Sequence, residues 1–211
     1  MKKIGRLHVI TDTVIQKRYS HVELAGLAIK GGADTIQFRS KTGSTRELIE
    51  TAAAVKRICE EAGVPLIIND RVDVAIAVKA DGVHLGQDDF PVSAARKLLG
   101  PDCIIGGSAG NIKEAGICCS EGADYVGIGP VYETGSKNDA GPPTGIDNLK
   151  DLISCSSIPV IAIGGITQDK IPFLMNAGAY GVAVISAVCS SDDPEGAAKI
   201  LMEKIKRGRS L

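Results

Sequence analysis

Three cations and two carboxylates stand out because each lies just beyond a short apolar run. Arg39 and Lys41 follow the run Thr35–Phe38, and Lys137 lies beyond Tyr125–Val131. Asp70 follows Pro65–Ile68, and Asp89 lies beyond Gly82–Leu85. A guanidinium can grip two oxygens of one phosphate, and an ammonium adds a compact point charge. Aspartates are hard oxygen ligands, and Mg²⁺ is typically held by one or two carboxylates with phosphate oxygens and waters completing its shell. Together these residues describe a site for a diphosphate with a divalent cation bound to it. Further polar residues stand on or beyond the same runs or close others: Gln37, Asn69, Thr134 and Ser136 are of the former kind, Ser108 and Ser186 of the latter. Gly164-Gly165 precedes a helix expected near Thr167, where main-chain N–H groups could approach a second, smaller phosphate. The stretch from Tyr132 to Gly145 is rich in Gly and Pro and reads as a loop that carries Lys137 over bound phosphates.

These residues form one site only if the elements that carry them converge. Eight apolar runs recur along the chain: Leu7–Thr11, Thr35–Phe38, Pro65–Ile68, Gly82–Leu85, Cys103–Gly107, Tyr125–Val131, Pro159–Ile163 and Gly181–Ser186. Their near-continuous apolar character suits parallel strands buried on both faces. Helix starts fall between them. Ser20 with Glu23 and Ser44 with Glu47 read as capping boxes, Asn111 with Glu114 is a similar start, and Asp193-Pro194 supplies a cap and a first-turn proline. Gly-Ala-Asp at 32–34 and 122–124, and Gly-Ala at 178–179, stand where helices should stop. The repeated strand–helix unit implies a (β/α)8 barrel, one domain over residues 1–211, with its chemistry at the C-terminal ends of the strands. A doubly wound open sheet fits less well, because the first run ends in Thr11-Asp12 with no glycine fingerprint after it.

Composition narrows the function. The 211 residues carry 24 Lys plus Arg and 25 Asp plus Glu, for a net charge of −1, and only 3% are aromatic. That balance supplies neither a basic footprint nor base-stacking platforms, so a nucleic-acid partner is not expected. No apolar run approaches the roughly 18 residues of a membrane span, and polar Thr11-Asp12-Thr13 interrupts the first one too early for a secretory signal. The six cysteines form no C-x-x-C pair, which suits a reducing cytoplasm. His8, His21 and His84 are far apart and build no zinc motif, and His84 reads as a structural group. Ser108 lacks the context of a nucleophile elbow. Lys41 and Lys137 lie beyond strand ends rather than in an apolar pocket of the kind that activates a Schiff-base lysine.

Read in order, several motifs resemble the thiamine phosphate synthase family. They are Gln37-Phe38-Arg39-Ser40-Lys41, Ile67-Ile68-Asn69-Asp70-Arg71-Val72-Asp73 and Gly82-Val83-His84-Leu85-Gly86-Gln87-Asp88-Asp89. Ala123-Asp124-Tyr125-Val126-Gly127-Ile128-Gly129-Pro130-Val131-Tyr132 and Ile163-Gly164-Gly165-Ile166 complete the set, and the resemblance covers nearly the whole chain. It implies a transferase that joins an aminopyrimidine methyl diphosphate to a thiazole phosphate, giving thiamine phosphate and diphosphate by a dissociative, Mg²⁺-assisted substitution. It implies that Arg39, Lys41, Asn69 and Lys137 hold the diphosphate and that Asp70 and Asp89 hold Mg²⁺. Gln37 would meet the aminopyrimidine and Ser108 the reacting centre. Thr134 and Ser136 would bind thiazole or phosphate, and Gly165, Ile185 and Ser186 the thiazole phosphate. The implied partners are small molecules, and a homodimer is compatible with them.

The chain departs from the family pattern at two places. Gly110 stands where the family commonly has histidine, and Glu133 where its Pro-Thr-x-Thr-Lys loop begins with proline. Two rival readings use the same fold. Thiazole tautomerase relatives carry histidine in place of Pro130 and tend to lose the aspartates that this chain keeps. A non-catalytic barrel that binds thiamine precursors would need neither those carboxylates nor three phosphate cations.

Overall fold

The structure, a computed structural model, describes residues 3–136 and 141–208. Eight parallel strands close into a barrel in sequence order. They are β1 (Leu7–Thr11), β2 (Thr35–Phe38), β3 (Leu66–Asn69), β4 (Gly82–Leu85), β5 (Ile104–Ala109), β6 (Tyr125–Ile128), β7 (Val160–Ile163) and β8 (Gly181–Val184). Helices cover the outside: α1 (His21–Lys30), α2 (Thr45–Glu61), α3 (Val72–Val78), α4 (Val92–Leu99), α5 (Ile112–Ser120), α6 (Gly145–Cys155) and α7 (Ile171–Asn176). After β8 come a short α8 (Ser186–Cys189) and the closing α9 (Pro194–Arg207). The sequence expectation of a (β/α)8 barrel is met, and β1 pairs with β8 through Leu7–Val182 and Val9–Val184 to close the ring.

The local signals behave as the spacing implies. Ser20 accepts from the Glu23 N–H while the Glu23 carboxylate accepts from Ser20, and Ser44 and Glu47 repeat the arrangement. Asn111 and Asp193 cap α5 and α9 through their side chains. Gly32, Gly122 and Gly178 all take left-handed backbone after α1, α5 and α7. Between the barrel and its helices lies the main apolar core, built from side chains such as Leu7, Ile36, Leu66, Val83, Val126 and Leu149. Each such side chain contributes about 1.5–3 kcal/mol when fully buried. A second cluster, including Ile10, Ile67, Ile104, Tyr125 and Ile161, fills the barrel itself.

Several boundaries differ from the apolar runs. Proline 65 has no N–H to give the ladder, and β3 instead extends to Asn69, which pairs with His84. β5 runs on to Ala109, so Ser108 lies within the strand. β6 stops at Ile128, ahead of Gly129-Pro130. β8 stops at Val184, so Ile185 caps α8 and Ser186 is its first residue. The helix expected near Thr167 starts at Ile171, after a turn.

Candidate active site

A cavity of about 360 Å³ opens at the C-terminal ends of the strands. Arg39 and Lys41 reach it from beyond β2, Asn69 and Asp70 from β3, and Asp89 from the loop after β4. Ser108 enters from β5, and Thr134 and Ser136 from the loop after β6. Gly165, Ile185 and Ser186 wall the side formed by β7 and β8. Gln37 does not line this cavity. It is buried below it, lining an adjoining cavity of about 30 Å³ inside the barrel that shares Ser108 and His84 with the larger one. Lys137 lies outside the described residues.

The charged groups are arranged in pairs. The Arg39 guanidinium donates through Nη1 to Asp12, and both residues are buried. The sequence does not mark Asp12 as the partner of Arg39, since an aspartate at the end of a first strand looks like any loop carboxylate. Arg39 Nε is buried without a hydrogen-bond partner among the described residues. Leaving a buried donor unsatisfied is costly. Lys41 Nζ donates to Asp70 Oδ2 at 2.7 Å, with Lys41 about half exposed.

Asp70 has φ of 65°, left-handed backbone that only Asp, Asn and Gly adopt at modest cost. Its N–H donates to the His84 carbonyl at 2.8 Å, and the next N–H, of Arg71, turns back to the Asn69 carbonyl at 2.8 Å. This turn lifts the Asp70 side chain towards β4. There Asp89 accepts the Gly86 N–H at 2.7 Å. Burial, followed by the hydrogen-bonding contact with the Asp70 carboxyl, pushes the Asp89 carboxyl above its usual range.

Two carboxylates forced together in this way ask for a cation. Among the described residues no group of three or more His, Cys, Asp or Glu could hold a metal. Those residues alone therefore form no self-sufficient cage. This fits a hard cation bound by two aspartates whose other ligands come from a phosphate and water.

His84, read from the sequence as structural, touches the site. Its Nε2 lies 2.9 Å from Ser108 Oγ and its Nδ1 lies 3.0 Å from the Tyr125 hydroxyl. The period-2 pleat held the signal: His84 pairs with Gly106, and Ser108 is two residues further along the same face of β5. Gly106 is what lets the pair in, because a Cβ there would fall 2.2 Å from the Tyr125 ring and 2.5 Å from His84 Nδ1. The Ser108 main chain is fixed as well, its carbonyl accepting from Gln87 Nε2 at 2.5 Å.

On the far wall Gly164 and Gly165 take φ of 98° and 61°. A Cβ on Gly165 would meet the Glu133 carbonyl at 2.2 Å. The two glycines therefore let the loops after β6 and β7 pack together. Lys170 secures the contact, donating to the Gly165 carbonyl at 2.8 Å and standing 4.3 Å from the Tyr132 ring centre. Ser136 Oγ and Ser186 Oγ meet at 3.0 Å across the cavity mouth. Beside β1, burial drives the His21 imidazole down to about 4, so it stays neutral and bonds Thr11 Oγ1 at 2.8 Å.

Comparison with known proteins converges on one family. A family profile described as thiamine monophosphate synthase matches residues 7–188. Thiamine-phosphate synthase of Salinibacter ruber is 53% identical over 93% of this chain and 86% of its own length. The Chloroflexus aurantiacus protein of the same name is 49% identical over 93% of this chain and 90% of its own. The solved structure of thiamine phosphate pyrophosphorylase from Pyrococcus furiosus superposes with a TM-score of 0.89 at 37% identity, covering 97% of each chain. A geranylgeranylglyceryl phosphate synthase from Thermoplasma acidophilum, at 19% identity and a TM-score of 0.73, shares the fold alone. The profile match and the relatives' identity over nearly the full length show that the chain belongs to the thiamine monophosphate synthase family.

Proposed function

We infer that this protein is a thiamine-phosphate synthase, a transferase that joins an aminopyrimidine methyl diphosphate to a thiazole phosphate. The observation that carries the reading is the juxtaposed Asp70 and Asp89 carboxylates with Lys41 and Arg39 on one cavity wall, in a chain 53% identical to a relative of that name. In the reaction, the bond between the pyrimidine methyl carbon and the diphosphate oxygen breaks, and both electrons leave with the oxygen. The resulting pyrimidine-stabilised carbocation is trapped by the thiazole nitrogen lone pair, which forms the new C–N bond. No strong general base is required.

Arg39, Lys41, Asn69 and Lys137 hold the diphosphate and stabilise the charge that collects on it. Asp70 and Asp89 hold one Mg²⁺ ion, which when bound adds Lewis-acid stabilisation of the leaving group. Gln37 meets the aminopyrimidine from the barrel interior, and Ser108 stands by the reacting centre. Thr134 and Ser136 contact thiazole or phosphate, and Gly165, Ile185 and Ser186 cradle the thiazole phosphate. A cytoplasmic setting belongs to the same reading and is supported by six free cysteines. No helix among the described residues is long and apolar enough to cross a membrane.

The test mixes the protein with Mg²⁺, the pyrimidine diphosphate and the thiazole phosphate. Thiamine phosphate should form, and a chelator should stop it. Folded protein that yields none, but isomerises a thiazole carboxylate phosphate, would overturn the reading in favour of a tautomerase.

A further inference from the structure

We propose that Tyr125 and His84 are positioning residues that set Ser108 as a hydrogen-bond donor toward the substrate. The argument starts from the Tyr125 hydroxyl, which is buried at 1% exposure, and burial raises its pKa far enough to keep the phenol protonated. Among the described residues its one hydrogen-bond partner is His84 Nδ1, at 3.0 Å. A buried O–H must donate or lose a bond outright. Donation to Nδ1 makes that nitrogen the acceptor and places the imidazole proton on Nε2. Nε2–H then donates to Ser108 Oγ across 2.9 Å. With a lone pair of Oγ occupied from below, the Ser108 hydroxyl hydrogen is directed away from His84, into the cavity that Ser108 lines.

The chemical consequence concerns specificity. The substrate atom that meets Ser108 is an acceptor, such as an unprotonated ring nitrogen, and a ring presenting N–H at that point is rejected. The opposite tautomer would reverse this selection, with Nε2 accepting from Ser108 and the hydroxyl offering only its oxygen. Tyr125 acts without touching the substrate, at the far end of a two-bond relay from its hydroxyl to Ser108.

The tautomer can be read without any assay, whereas the kinetic half rests on the transferase reading. In protein labelled with ¹⁵N-histidine, at a pH where His84 is neutral, the His84 signals are assigned by their loss in His84→Gln. They should report a protonated Nε2 and an unprotonated Nδ1, and Tyr125→Phe should yield a mixture of tautomers. A protonated Nδ1 in the unaltered protein would overturn the proposal whatever the activity.

In turnover, Tyr125→Phe should lower kcat/KM for the pyrimidine diphosphate about 10-fold while leaving the KM for the thiazole phosphate unchanged. Added to Ser108→Ala it should cost nothing further, because its effect passes through Ser108. His84→Gln, which keeps an N–H near the Nε2 position, should retain more activity than His84→Asn. Additive losses from Tyr125→Phe and Ser108→Ala would show a merely structural tyrosine. If the unaltered protein turns over nothing yet shows the expected tautomer, the transferase reading fails and the relay stands.

Discussion

Aspartates at the two ends of the barrel have different partners. At the N-terminal ends, Asp34 accepts the N–H groups of Arg6 and Leu7 at 2.8 and 2.7 Å, which anchors the start of β1. Asp81 accepts the Leu66 N–H and Lys56 Nζ, each at 2.8 Å, at the start of β3. Asp124 accepts the Ile105 N–H at 2.7 Å and Arg96 Nη2 at 2.6 Å, at the start of β5. At the C-terminal ends, Asp70 accepts from a half-exposed lysine and Asp89 accepts a loop N–H beside it. Rigid main-chain donors use up the lower carboxylates. Asp12 at the top is fixed in the same way, by the Val14 and Ile15 N–H groups and Arg39, whereas Asp70 and Asp89 face a replaceable lysine and each other. On the proposed reading, one residue type serves stability at one end and chemistry at the other, the division of labour expected of this barrel.

The contrast can be broken most sharply at the top. Asp70→Asn keeps the left-handed backbone preference and removes the charge, so turnover should fall roughly 1000-fold with the circular dichroism spectrum unchanged. Activity near that of the unaltered protein would remove Asp70 from the metal site. Asp70→Ala is the poorer probe, because alanine is strained at this φ.

At the bottom, His8 offers a test of comparable size through pH. Burial drives its pKa from 6.5 to about 4, against a partly compensating bond to the Gly5 carbonyl. The unfolded chain therefore binds the proton first. Stability is fully present above the unfolded value and is lost as pH falls from about 6.5 towards 4, by up to about 3 kcal/mol. Urea titrations at several pH values should show that loss on top of a similar one from His21, and His8→Gln should remove only the His8 share.

A smaller effect is expected from Asp124→Ala, which leaves the Ile105 N–H without its acceptor and takes the carboxylate from Arg96, whose bonds to the Gly100, Cys103 and Gly122 carbonyls remain. A cost of about 2 kcal/mol should lower Tm by roughly 4–8 °C, with kcat within about twofold of the parent. A large loss of kcat at unchanged Tm would erase the distinction between the two ends.

The smallest change has the opposite sign. The Asp89 pKa is raised in the folded protein, so its ionisation opposes folding as pH rises past the unfolded value. Asp89→Asn should raise Tm at neutral pH by roughly 1–3 °C while turnover is lost. A fall in Tm would mean that the two upper carboxylates do not strain each other.

The strand–helix order was legible in the sequence because apolar runs, serine caps and helix-ending glycines agree at each repeat. Strand ends were less so. Ser186 belongs to a helix and Ser108 to a strand, and an apolar run does not reveal where ladder pairing stops. Most of the polar site was legible once the barrel brought successive strand ends together. The Arg39–Asp12 pair and the Ser108–His84–Tyr125 relay were not. They depend on the register between neighbouring strands, which side-chain alternation within one strand leaves open. Gly106 was the remaining clue, a gap sized for a neighbour's ring.

The Lys41–Asp70 contact bears on what the mouth of the cavity admits. A bare phosphate that reaches Lys41 competes with Asp70 for its charge, and a bare cation that reaches Asp70 competes with Lys41. Either exchange surrenders one attraction to gain another. An anion that arrives already complexed to its cation offers both partners in a single swap. On the proposed reading, the pair favours an anion that brings its cation over free phosphate or free metal alone.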